Sequence, residues 1–541
     1  MSALVSFIIF TRLLITDKRV SLNYSFSGFW PIQIFVVLSL YILGHGIVNR
    51  NFNLTHYYWL AGVTLLLAIK CLQTFDYPKT KSVSLNEKKK TYTPFTFYLH
   101  RGIILIAFIE SAVVIFQWLG FFPSMNELFA CTGTWVNPNV TAIFLALTLL
   151  SRKPLSDIAY KKNYLNTQLL IVLLAIIMLQ CRTAYIIIYI ILLGTYKPVT
   201  PVIKPLIIRS LSVVLLIIVL ALGFKTGSTN SRIQIWKNSL QLIATNPGTG
   251  VGFGQFEKEY NAFVVQQNLI SNDYVYMPYN DFLELAVEGG IVAVTLWIGF
   301  LIALAQKFKN SNYGLTLIIS FIIVQLTNFG FQSIPVFALF LIYTGCMLQG
   351  KESIKKPEQT LIYRFALKTT FAIATIGAMA LLTKVFLIAS TFHQSTLVSK
   401  KYPPEIAIEK FKVFAEIDFS SNYHENLGDL FMQTRNFHAA KSQYSKALQT
   451  TNRPNVLGKY GWCFGNLGQY DSASYCFRII EKLQPYKYAP RLALLKLYEQ
   501  QKDTASLKLK AQEIIGMPVK VPSEEIKKIK AEAVKWLQIK L

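Results

Sequence analysis

The 541-residue chain is 53% hydrophobic, 14% aromatic and only 15% charged, with a formal net charge of +26. A mean hydropathy of +0.39 excludes an ordinary soluble domain and puts most of the chain in a bilayer. The basic excess sits in short loops between apolar runs, as at Lys79, Lys81, Lys88, Arg152, Lys153, Lys197, Lys204, Lys307, Lys309, Lys351 and Lys355. That is the loop bias of membrane topology and not a nucleic-acid footprint.

In chain order, residues 3–15 are apolar but short, interrupted by Arg12 and followed by Lys18 and Arg19. They read as a short span, an interfacial helix or an uncleaved signal-like element, with no processed leader expected. Apolar runs then lie near 29–48, 57–75, 97–119, 138–150, 164–180, 183–196, 206–224, 286–306, 313–329, 331–349 and 366–391. Crossing a hydrocarbon core of roughly 30 Å takes about 20 residues, so several of these need their flanks. The expectation is eleven spans, twelve if 3–15 crosses. Alternating sides from the basic loops puts 77–92, 151–163, 197–205, 307–312 and 350–364 in the cytoplasm. Residues 225–285 and everything beyond 391 then face outward.

Six cysteines show no CxxC pairing, which argues against zinc or a redox motif. Cys463 and Cys476 fall in the outward tail, where a disulfide is permitted, although a small buried thiol is the commoner fate.

Polar residues gather in three outward segments. The first is Thr132-Gly133-Thr134-Trp135-Val136-Asn137-Pro138-Asn139, and the second is Gln180-Cys181-Arg182-Thr183-Ala184. The third runs from Arg232 and Trp236 through the glycines Gly248, Gly250, Gly252 and Gly254 to Tyr279, Asn280, Asp281, Glu284 and Glu288. An arginine interrupting apolar sequence is a functional candidate by default, and the planar fork of Arg182 suits a pyrophosphate. The alternative is that it snorkels to the interface. Glycines let a chain approach a ligand closely, but a simple tight turn reads equally well. No Gly-Lys-Ser/Thr follows, so this is not an ATP loop. If Asp281 opens a helix, then Asp281, Glu284 and Glu288 at i, i+3 and i+7 share one face, where a carboxylate can act as a base. Alternatively, Asp281 and Glu284 cap that helix through its dipole. Glu110 is an intramembrane charge that reads either as half of a structural ion pair with Arg182 or Lys384 or as a proton relay.

Beyond residue 391 the apolar runs stop, and Ile406, Ala407, Phe411, Phe414 and Ile417 follow helical spacing. Gly428, Ala440 and Tyr444 recur 33 positions later as Gly461, Ala473 and Phe477. The period resembles tetratricopeptide repeats: small residues let two helices pack closely while Tyr444 and Phe477 fill the space between. Such a stack binds a partner or serves as a rigid spacer.

Taken together, the order and spacing of the three segments resemble the O-antigen ligase and O-antigen polymerase superfamily over roughly residues 100–350. The expected fold is all-α: a polytopic membrane helical bundle over 1–391, followed by a soluble TPR-like solenoid over 392–541. The resemblance implies transfer of a glycan from a polyprenyl (undecaprenyl) pyrophosphate carrier to an acceptor at the outer face of a bacterial inner membrane. The acceptor would be lipid A core for a ligase, another glycan for a polymerase, or a protein hydroxyl for an oligosaccharyltransferase. Arg182, Arg232, Trp236, Gly250, Gly252 and Asn280 would bind substrate, and Tyr279, Asp281 and Glu284 would lie at the acceptor hydroxyl. No metal or cofactor is implied, and the tail would bind an envelope protein. One departure stands out. The family histidine before the Asn-Asp pair is Tyr279 here, and no histidine occurs between His100 and His393. The reading from another class is a non-enzymatic envelope anchor or a lipid-linked glycan transporter.

Overall fold

The computed structural model describes residues 30–49, 54–75, 94–152, 154, 162–195, 226–269, 271, 273–348, 397–411, 421–519 and 522–538. The spans expected at 3–15, 206–224 and 366–391, the loops at 77–92, 197–205 and 350–364, and Lys384 lie outside these residues. Among the described residues all regular structure is helical, and they fall into two compact units.

Unit 1 comprises 1–226, 248–253 and 279–381. Its helices are α1 (Trp30–Val48), α2 (Leu54–Phe75), α3 (Pro94–Trp118), α4 (Pro138–Thr148), α5 (Lys162–Leu179) and α6 (Arg182–Thr195). After the excursion into unit 2 come α9 (Asp281–Lys307), α10 (Asn312–Thr327) and α11 (Ile334–Met347). Three helices, Trp30–Val48, Thr96–Trp118 and Asp281–Lys307, are long and apolar enough to cross a membrane, and six shorter apolar helices accompany them. α3 is patterned inside out: His100, Glu110, Ser111 and Gln117 are buried, while Leu105, Ile106 and Ile109 are more than half exposed. In water that pattern would be unfavourable on both faces, whereas lipid accepts the apolar one.

An aromatic cluster from five elements makes the core of the unit. Phe35, Trp59, Trp297, Phe300, Phe321, Phe337 and Phe340 are all nearly or fully buried, and the Phe321 and Phe340 rings stack at 3.9 Å. The one polar atom on Trp297, its indole Nε1, donates to Gln325 Oε1 at 3.2 Å, so the ring is buried without an orphan donor.

Unit 2 comprises 227–247, 254–278 and 382–541. The outward segment expected at 225–285 is therefore divided between the two units. It is also more regular than its turn-rich sequence suggests, with helices α7 (Thr226–Thr245) and α8 (Phe256–Gln266). The tail adds α12 (Pro404–Phe411), α13 (Ser421–Gln433), α14 (Phe437–Ala447), α15 (Pro454–Asn466), α16 (Tyr470–Leu483), α17 (Ala489–Gln501), α18 (Thr504–Gly516) and α19 (Glu524–Gln538). From α13 onward each helix packs on the next in sequence. A Cβ at Gly428 would run into the Tyr444 ring, and one at Gly461 would press on Phe477 and Cys476. Small residues thus admit the aromatic side chain of the neighbouring helix. Cys463 and Cys476 are free buried thiols; burial pushes them up to about 12 and about 11, and Cys463 Sγ lies 3.3 Å from Met432 Sδ.

Candidate functional site

Three helix starts in unit 1 carry the polar segments. At the first, Asn137 caps α4 in an extended conformation, its side chain accepting from the Asn139 amide, with Pro138 in the first helical turn. That is the arrangement a Pro-led helix start favours. The turn before it is held from below by α3. Gln117 Oε1 accepts from the Thr132 and Gly133 amides at 2.9 and 2.8 Å. Glu110 accepts from the Thr134 amide at 2.7 Å and its hydroxyl at 2.8 Å. The ion pair expected for Glu110 is thus replaced by a brace: both carboxylate oxygens are given to Thr134. Gly133, at φ +73°, has no room for a Cβ beside Glu110.

At the second start, Gln180 holds a left-handed φ of +51° and the half-buried Arg182 opens α6. The next residue ties this turn to α10, because Thr183 Oγ1 meets Thr327 Oγ1 at 3.1 Å and accepts from Asn328 Nδ2 at 2.8 Å.

At the third start, Asn280 caps α9, its Oδ1 accepting from the Phe282 and Leu283 amides at 3.0 and 3.2 Å. Asn280 thus supplies the hydrogen-bonding cap, while Asp281 and Glu284 stand in the first turn, where the helix dipole favours negative charge. Asp281, Glu284 and Glu288 all lie inward, at 0%, 7% and 4% exposure. Asp281 Oδ2 accepts from the Phe331 amide at 3.0 Å, and Glu284 accepts from Gln332 Nε2. Asp281 Oδ1 and Glu284 Oε2 remain buried without a hydrogen-bond partner. Tyr279, one residue before the cap, has φ +55°, a conformation a bulky side chain adopts at a cost of about 1–3 kcal/mol. Its ring meets Phe329 edge to face at 6.1 Å.

The glycine-rich loop has a specific partner within unit 1. α9 is broken at Gly290, which sits at φ 63° and ψ −164°, and a broken helix releases backbone carbonyls that a bilayer leaves unsatisfied. The loop supplies donors: the Val251 amide reaches Val287 O at 2.8 Å and the Gly252 amide reaches Glu288 O at 2.9 Å. Tyr41 Oη adds a bond to Gly289 O at 3.0 Å. A Cβ on Gly250 would overlap the Glu288 backbone. The close approach that Gly250 and Gly252 permit is thus to the protein's own helix.

Arg232 and Trp236 lie on α7 in unit 2. Trp236 Nε1 donates to Pro278 O at 2.8 Å, and Asn238 Nδ2 reaches Tyr260 Oη on α8 at 3.2 Å. α8 in turn is bound to the tail. Glu257 Oε1 accepts from Tyr274 Oη, Thr451 Oγ1 and Arg453 Nε at 2.9, 3.1 and 3.0 Å, while Asn452 Nδ2 donates to Lys258 O at 2.8 Å. Burial, then the Glu257 charge, raises the Tyr274 phenol, and burial pushes Tyr260 up to about 12, so both stay protonated, Tyr274 donating to Glu257 and Tyr260 accepting from Asn238. Arg453→Ala removes the cation from this knot while leaving Glu257 partly buried. It is expected to loosen 254–278 by on the order of 1 kcal/mol. Hydrogen exchange at Tyr274 and Val275 should then quicken while α17–α19 stay protected; unchanged exchange at those two amides would mean the knot holds nothing.

Sequence reasoning missed the turn at 328–333. Asn328, Phe331 and Gln332 receive the Arg182 turn and the two carboxylates, yet their only sequence signal is a short polar interruption between two apolar runs.

Among the described residues these features define an all-helical integral membrane protein that carries its three polar segments at helix starts. Residues 167–298 match a family model described as O-Antigen ligase. The match covers Arg182, Arg232, Trp236, Gly250, Gly252, Tyr279, Asn280, Asp281 and Glu284, and it supports glycan transfer of the O-antigen ligase kind. No curated protein matches the chain.

Proposed function

We propose that the protein transfers a glycan from a polyprenyl (undecaprenyl) pyrophosphate carrier to an acceptor hydroxyl at the outer face of a bacterial inner membrane. The observation that carries this reading is the bracing of two buried carboxylates and the Arg182 turn by one short segment, 328–333, with most of the set inside the region of the family match. The acceptor oxygen forms its bond to the anomeric carbon as the bond from that carbon to the pyrophosphate oxygen breaks. The electron pair leaves with the pyrophosphate, beside Arg182 at the positive end of α6. The acceptor proton passes to the unpaired oxygen of Glu284 or Asp281. Tyr279, in the place of the family histidine, orients the acceptor by hydrogen bonding. Arg232 and Trp236 serve the carrier and glycan from α7. The tail, read as a tetratricopeptide-like stack on the extracytoplasmic side, recruits a lipid, glycan or protein acceptor or an envelope protein.

Two carboxamide variants test the base. Asn keeps an acceptor for the Phe331 amide at position 281, so Asp281→Asn is expected to fold, as is Glu284→Gln. Whichever carboxylate takes the proton should, when replaced, lower carrier release by about 10²–10⁴-fold in reconstituted vesicles. Full activity in both variants would remove general-base catalysis by this pair.

A further inference from the structure

The loop from 119 to 137, between α3 and α4, is turned the opposite way from a loop in water. Leu119, Phe121, Phe122, Met125 and Leu128 each expose more than half of their surface, while Ser124 and Asn126 are half-buried and Thr132 and Gly133 are buried. Glu127 is the only charged residue between 119 and 137. An apolar patch of this kind marks an interaction surface.

The exposure is built into the loop. Gly120, at φ +82°, ends α3 by sending its amide to Gln117 O at 3.0 Å and the Phe121 amide to Phe116 O at 2.9 Å. These are the two bonds of a Schellman ending, and the apolar contact that accompanies one follows. The Phe121 and Phe122 rings fold back on Phe116, edge to face at 5.8 and 5.9 Å. Gln117 holds the rest from below: its Nε2 donates to Pro123 O at 3.2 Å and Gly133 O at 3.0 Å. With Oε1 accepting from the Thr132 and Gly133 amides, its side chain makes four hydrogen bonds, all to this loop. Thr132 Oγ1 accepts from the Met125 amide at 3.2 Å, and Asn126 Oδ1 from the Leu128 amide at 3.1 Å. Polar groups of the loop are thus taken up from inside, and its apolar side chains are left to face outward.

Two observations name what covers them. Leu105, Ile109 and Phe116, at i, i+4 and i+11, share one exposed face of α3, the face that lipid accepts, and Phe116 continues it onto Phe121 and Phe122. The stretch Thr96–Trp118 is 23 residues long, about 35 Å at 1.5 Å per residue, so α3 already crosses a hydrocarbon core of roughly 30 Å. The loop therefore begins at the lipid–water boundary, where aromatic side chains gather, and the exposed Trp118 stands at that point.

We propose that residues 118–129 form an interfacial plate seated in the lipid leaflet at this end of α3, with Leu119, Phe121, Phe122, Met125 and Leu128 among the upper acyl chains. With one acid and no basic residue, the plate is held by apolar burial and not by headgroup charge. Gln117 and Glu110 tie it to the Thr132–Thr134 turn, so the first helix start is kept at headgroup depth, where a lipid-borne pyrophosphate also lies. The seating itself goes beyond the transferase reading and does not depend on it.

Full-length Phe121→Cys and Leu128→Cys proteins are labelled with the fluorophore NBD and placed in phosphatidylcholine nanodiscs. Labelled wild type gives the background, and Lys508→Cys, exposed on α18, is the aqueous control. Positions 121 and 128 are 70% and 85% exposed, so the substitutions leave the packing intact. Their labels are expected to lose most of their emission to lipid bearing a nitroxide near its carbonyls, less to lipid bearing it at the chain end, and little to aqueous iodide. The label at 508 should respond to iodide alone. Iodide quenching at 121 and 128 as strong as at 508 would put the loop in water and overturn the proposal. Protection from iodide and both lipids would also overturn it, with protein as the cover. Stronger quenching from the chain end would place the loop in hydrocarbon and refute an interfacial seat, and lipid quenching that arises only when anionic phosphatidylglycerol is added would refute apolar anchoring.

Discussion

Arg182→Ala is expected to lower carrier release by about 10²–10³-fold, the range seen when one preorganised group facing developing charge is removed. Three features converge on this residue. It opens a helix of 14 residues, and the N-terminus of such a helix favours an anion. The turn before it is held by the left-handed Gln180, and the turn after it is pinned through Thr183 to Thr327 and Asn328. The guanidinium is therefore presented on a backbone that does not have to reorganise. Arg182→Lys keeps the charge but loses the bidentate fork, so it should recover part of the activity and not all of it. Thermal midpoint and size-exclusion profile in detergent separate this loss from misfolding. Wild-type release by a folded Arg182→Ala protein would leave the arginine as an interfacial anchor only.

The second large effect is on the fold. Gly290→Ala is expected to destabilise unit 1 by on the order of 3–5 kcal/mol, from two sources. A φ of 63° with ψ −164° lies in a region essentially restricted to glycine, at about 1–3 kcal/mol for other residues. A Cβ there would also overlap the Gly248 carbonyl, driving the loop off the Val287 and Glu288 carbonyls it satisfies and leaving them orphaned in an apolar setting. The readout is loss of the monodisperse detergent peak or a marked fall in thermal midpoint. Gly102→Ala is the matched control. Gly102 lies on α3 with open space around its Cβ position, so that variant should be neutral or slightly stabilising. A stable Gly290→Ala protein would show that the break in α9 does not depend on this backbone conformation.

The carboxylate face of α9 was legible because three positions at i, i+3 and i+7 decide it once Asp281 opens the helix. What those carboxylates touch was not, since Phe331 and Gln332 lie about 50 residues away and only the return of the chain brings them back. The glycine loop shows the same limit. Its freedom to approach something closely is written in four glycines, yet its partner proves to be the broken backbone of α9. Glu110, read as half of an ion pair, is instead spent on two bonds to Thr134. An isolated charge in an apolar helix announces that it needs partners without saying whether they are cations or amides.

By itself the sequence determined the class of the molecule: hydropathy and basic loops specify apolar helices in lipid, and small and aromatic residues 33 positions apart specify close-packed helices in the tail. These are local and periodic properties, carried by residues a few positions apart. Only the tertiary structure decided that the segment 225–285 divides, with 227–247 and 254–278 joining the tail, and that Asn328 links the Arg182 turn to the segment holding Asp281 and Glu284. Only there, too, does the loop after α3 turn its apolar side chains outward while Gln117 takes up its polar backbone. The physical reason is common to all three. A hydrogen bond or an exposed face is defined by which groups meet in space, and nothing in one partner's sequence neighbourhood names the other.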